Sequence, residues 1–151
     1  MAGVGCALTT AAVVALSGGT AKTILQLVAP ANQACMMKKI HVTFDGTSST
    51  ATPGLIRLYR QTTAGTMSSL SPVKYPRGDE GETLQSTGQY NATAEPTAGD
   101  LDWGFHCHPQ LGFIYEWAYG DQMKIGGGGR AGLYLNYPAA VNAQPTMHYD
   151  E

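Results

Sequence analysis

The chain has 151 residues, the length of one compact domain that buries about two-thirds of its unfolded surface. Charged residues make up 13% of it and the formal net charge is -2, where roughly 25% charged is ordinary for a soluble protein. That balance excludes the clustered positive charge with which proteins neutralise nucleic-acid phosphates or anionic lipid headgroups, so neither partner is expected.

The N-terminal residues 11–16 are apolar, but no Lys or Arg precedes Lys22. The run therefore lacks the basic flank of a signal peptide and is far too short to span a bilayer. The reading is a soluble protein made in the cytoplasm. Residues 1–21 are small and apolar and read as a possible arm that pairs with a neighbour's exposed strand. Residues 12–16 and 23–29 flank Ser17-Gly18-Gly19-Thr20, which predicts a hairpin. In residues 39–44, Ile40, Val42 and Phe44 share one face and Lys39, His41 and Thr43 the other, the period of a half-buried strand. Residues 55–60 repeat it, and 83–90 form a more polar strand near an edge. Residues 101–107 and 113–118 are joined by Pro109-Gln110-Leu111-Gly112, again a turn signature. Residues 123–125 lead into four glycines, then 131–137 and 146–149 close the series.

No apolar run at helical spacing reaches three turns, and eight to ten strands with short turns predict an all-β fold. The class is an antiparallel β-sandwich, jelly-roll-like, in one domain spanning 1–151, with a closed barrel as the alternative. Segments 61–81 and 91–100 are long for hairpin turns and read as binding or mobile loops.

Cys6, Cys35 and Cys107 are an odd number without motif spacing, so no disulfide framework is expected. His106-Cys107-His108 tempts a metal reading, but on a strand only the two histidines share a face. His41 and His148 look solitary, so the ligand set is incomplete. A cupin-type metal enzyme fails on the same count. Gly126-Gly127-Gly128-Gly129-Arg130 leads into a strand rather than a helix, which makes it a turn and not a phosphate loop. No serine sits in a nucleophile elbow, and Asp79, Glu80 and Glu82 crowd a solvated loop beside Lys74 and Arg77, where no carboxyl is desolvated enough for acid catalysis. No enzyme activity, cofactor or metal is expected. Trp103, Phe105, Phe113, Tyr115, Trp117 and Tyr119 gather around one predicted hairpin, and three uses are open: sandwich core, subunit interface or sugar-stacking platform.

Several stretches carry a family resemblance: residues 22–32, Phe44-Asp45-Gly46-Thr47, residues 58–66, residues 93–100 and residues 126–132. They resemble small structural proteins of tailed-bacteriophage head modules, in turn and strand signatures spread over most of the chain from residue 22 on. The resemblance implies a cement or decoration protein on the capsid exterior, a homotrimer bridging major capsid protein subunits. Residues 74–82 and 103–107 depart from the pattern. Interface candidates are accordingly Lys74, Arg77, Asp79, Glu80, Glu82, Trp103, Tyr115 and Trp117. A neutral surface rich in Thr, Ser, Gln and Asn suits burial between subunits. A carbohydrate-binding module on a virion or cell surface, stacking sugars on Tyr59, Tyr75, Tyr90 or Trp103, is the alternative of a different class.

Overall fold

A computed structural model describes residues 3–45, 52–76 and 81–151. Arg77, Asp79 and Glu80 lie outside them. The described chain forms β1 (Gly5–Thr9), β2 (Val14–Leu16), β3 (Lys22–Val28), β4 (Cys35–Asp45), β5 (Gly54–Gln61), β6 (Thr66–Leu70), β7 (Val73–Lys74), β8 (Thr87–Ala94), β9 (Ala98–Cys107), β10 (Phe113–Glu116), β11 (Lys124–Ile125), β12 (Arg130–Asn136) and β13 (Val141–Asp150). The first sheet runs β10-β4-β13-β1-β7, with β11 added to β4 and β2 to β13; the second runs β6-β8-β3-β12-β5-β9. All pairings are antiparallel. Two sheets packed face to face make a β-sandwich, and their free edges exclude the closed barrel.

The inner faces meet in one apolar core. Leu8, Met37, Ile40 and Met147 of the first sheet face Leu25, Leu27, Leu58 and Leu133 of the second, all fully buried. The alternation in β4 and β5 follows from the period-2 pattern of their sequences.

Three expectations need correction. Residues 5–9 are no arm: β1 lies between β13 and β7, with Cys6 and Leu8 in the core. Residues 12–16 and 23–29 are no hairpin, because β2 pairs with β13 in the first sheet while β3 pairs with β12 and β8 in the second. The Gly18-Gly19 turn carries the chain across the sandwich instead, tied down where Gly19 N donates to Tyr137 O at 2.8 Å. The same holds for β9 and β10: they pair with β5 and β4 in opposite sheets. Apolar faces opposed across a sandwich give the same sequence pattern as faces paired within one sheet, so alternation alone does not separate the two. Of the segments read as long loops, the described residues 61–76 include β6 and β7, and 91–100 is mostly β8 and β9.

The three thiols are free and buried. Burial, reinforced by the Glu151 carboxylate, pushes Cys6 up to about 11 and Cys35 to about 12. Burial likewise raises Cys107, whose Sγ donates to Gly112 O at 2.9 Å. Thiolate is the reactive form. At neutral pH the native protein is therefore expected to resist a thiol-disulfide reagent and to release all three equivalents only in denaturant. Rapid labelling of the native protein would contradict this packing.

Candidate functional site

The free edges of the sandwich carry its most distinctive chemistry. On one side, β9 ends the second sheet and β10 ends the first. Their inward rings close the gap between them. Trp103 on β9 lies 5.4 Å from Phe105, 5.5 Å from Phe113, 5.1 Å from Tyr115 and 6.2 Å from Trp117, centroid to centroid. Tyr115 meets Trp117 edge-on at 4.8 Å and 85°. Tilted and edge-to-face contacts at these separations are the favoured ones for π systems. The chain after β10 stays on the sheet because Trp117 N donates to Lys38 O at 3.0 Å.

Outside this belt the same segment presents bare apolar side chains. β10 alternates, with Phe113 and Tyr115 turned to the belt and Ile114 and Glu116 to solvent. Ile114 is 69% exposed, and the flanking turns hold Leu111 at 84% and Tyr119 at 99%. These are three large exposed apolar side chains within nine residues, beside the aromatic belt.

The predicted candidates separate into two groups. Trp103, Tyr115 and Trp117 come together as described, with Trp117 buried and the other two half-buried. Lys74 sits on β7, at the opposite edge of the first sheet, paired with Cys6. Glu82 is exposed and lines a shallow groove with Gly3, Gln33 and Glu151. Neither belongs to the aromatic edge.

No protein-family model, curated protein or solved structure matches the chain.

The four glycines form the turn between β11 and β12, where Gly129 N donates to Gly126 O at 2.8 Å. In the His106-Cys107-His108 segment, Cys107 turns inward while His106 is exposed and His108 Nδ1 accepts from Gln110 N at 3.2 Å. The histidines that do meet are the two that look solitary in the sequence. His41 on β4 and His148 on β13 are diagonal neighbours on the outer face of the first sheet, with Nε2 atoms 3.3 Å apart and rings near parallel at 16°. The centroid separation of 5.5 Å is close to that nitrogen separation plus two ring radii, so the nitrogens meet head-on. One Nε2–H donates to the other Nε2. His148 Nδ1 is buried and has no hydrogen-bond partner among the described residues, so a second proton on that ring would add both a charge and an unsatisfied donor. Around the pair stand Lys39 and Thr146 in the cross-strand register, Ile114 across from His41, Ala7 across from His148, and Tyr75, whose ring lies 4.7 Å from that of His148. Asp150 follows two residues after His148.

Burial depresses both imidazoles below their ordinary value. Lys39 adds to the effect on both, and His41 adds to that on His148. In the unfolded chain they take up protons below about pH 6.5, before the folded protein does. The folded state therefore holds this contribution above that pH and loses it as the pH falls towards the depressed folded values. Denaturant midpoints are expected to fall on acidification, and the double variant His41→Gln/His148→Gln to show a shallower fall than the parent. Equal slopes would contradict the coupling.

Proposed function

We propose that the chain is a capsid cement or decoration protein, one that binds the outside of a phage head and bridges major capsid protein subunits without catalysing a reaction. The observation that carries this reading is the trio of exposed apolar side chains Leu111, Ile114 and Tyr119, within nine residues beside the aromatic belt. Such a surface arrives at a partner already ordered, so little conformational entropy is lost on docking. The sparse charge agrees, because desolvating ions at a shell contact is costly. The head-protein resemblance of the turn and strand motifs supplies the class of partner. A jelly-roll relationship, trimeric assembly over a local three-fold axis and residence on the virion exterior belong to the same proposal. Binding only the assembled lattice stabilises it by mass action.

Ile114→Lys tests it. Because Ile114 is exposed, stability is expected to change by less than about 0.5 kcal/mol. A charge in the centre of the contact is expected to lower affinity for empty heads at least about tenfold. Unchanged head binding by a folded Ile114→Lys protein would remove this edge from the docking surface.

A further inference from the structure

The outer face of the first sheet holds a cavity of about 210 Å³ that runs from β10 across β4 and β13 to β1, with Glu116, two residues from the exposed Ile114, at its β10 end. Its walls include Tyr75, His148, Lys38, Lys39, Glu116 and Asp150. We infer that this cavity is a saccharide-binding site, sized for one pyranose ring, with Tyr75 as the stacking platform.

Local structure builds the site. Opposite His148 and Tyr149, β4 carries an irregularity that leaves Lys38 as an extra residue. A bulge of this kind re-aims side chains, and here Lys38 and Lys39, neighbours in sequence, both reach the cavity. Lys38 Nζ meets Asp150 Oδ1 at 2.6 Å, and Glu116 stands across from Lys39 in the β10–β4 register. Tyr75 is seated by β1: its backbone N donates to Gly5 O at 2.7 Å. A Cβ on residue 5 would fall 2.1 Å from Tyr75 O, so glycine is what permits this approach. His148 packs against one side of the Tyr75 ring at 57°, and the side chain remains 55% exposed.

The wall chemistry selects the ligand class. Two ammonium groups and two carboxylates cancel, so neither an anion nor a cation gains net charge on entry. Instead the cavity offers donors and acceptors side by side, the complement of vicinal hydroxyls, each of which donates and accepts. The open ring supplies an electron-rich face for the polarised C–H groups of a sugar. At about 210 Å³ the volume lies below the roughly 300–1,000 Å³ of pockets that hold drug-sized ligands, which fits one ring and not an extended chain. A neutral, polyhydroxylated, ring-shaped ligand satisfies all four conditions. The site adjoins Ile114 through Glu116 on β10, but its test is separate from that of the capsid reading because sugar binding needs no head.

Saturation-transfer difference NMR on the purified chain, with D-glucose, D-galactose, D-mannose and N-acetyl-D-glucosamine as probes, tests the inference. Inorganic phosphate and methylammonium, followed by shifts of protein amides, serve as charged controls. At least one pyranose is expected to receive saturation. Its Kd is expected to rise at least about tenfold in Tyr75→Ala, the loss of one stacked ring, and to rise in Glu116→Gln, an exposed position whose substitution leaves the fold intact. Silence from all four sugars would overturn the assignment. So would a signal unchanged in both variants, or saturable binding of phosphate or methylammonium in place of a sugar.

Discussion

Truncating Trp103 to alanine is expected to lower the unfolding free energy by about 3 kcal/mol, the low end of the range for a large aromatic because the residue is half-buried. Trp103 contacts four other rings and links the two sheets where neither has a further strand. Its removal leaves a gap that β9 and β10 cannot close without giving up their pairing with β5 and β4. Trp103→Phe should behave differently. The indole Nε1 is buried and has no hydrogen-bond partner among the described residues, so phenylalanine removes an unsatisfied donor while retaining most of the ring contact. The expected cost is under about 1 kcal/mol. Urea unfolding followed by circular dichroism measures both, and an alanine variant as stable as the parent would mean that the belt does not join the sheets.

Gly54→Ala is the second large effect, up to about 3 kcal/mol for an overpacked core position. A Cβ there would lie 2.2 to 2.4 Å from three ring carbons of Tyr137. The ring has nowhere to retreat. It is buried, its centroid lies 4.8 Å from that of Phe44, and its hydroxyl donates to Cys107 O at 3.1 Å. Cys107 is also the β9 residue facing Gly54, so one added methyl strains both strands of the edge that carries the aromatic belt. Gly126→Ala is the control: among the described residues nothing stands within 4 Å of its Cβ, and the change should stay within about 0.5 kcal/mol. If the Gly54 variant melts with the parent, Tyr137 has room that the packing denies. Pairing Gly54→Ala with Tyr137→Leu should recover part of the loss, a coupling that unrelated sites would lack.

The sandwich is legible because residues 39–44 in β4 and 55–59 in β5 alternate and because glycine and proline punctuate the chain at short intervals. Strand partnership is not. Ser17-Gly18-Gly19-Thr20 and Pro109-Gln110-Leu111-Gly112 both look like hairpin turns, yet each passes the chain between sheets, since local residues set a reversal of direction and not which neighbour the next strand finds. Only the last part of β13 shows in the sequence pattern. Pro145 interrupts its pattern, but β13 spans 10 residues and pairs with β4 on one side and with β1 and β2 on the other. The aromatic cluster showed in the sequence as crowding between 103 and 119, and the structure makes it a belt across two sheets with Ile114 left outside. His41 and His148 are separated by 107 positions and share no motif; only the β4–β13 register brings them together. The Tyr75 cavity is hidden for the same reason, because its walls come from β1, β4, β10, β13 and the chain after β7.

Decoration of a shell, as proposed for this chain, is measured by co-sedimentation. Purified protein titrated against empty phage heads is expected to pellet with them, to saturate at a fixed number of copies per capsid protein and to raise the temperature at which the heads open. Protein that stays in the supernatant at every concentration, with head stability unchanged, would contradict the account.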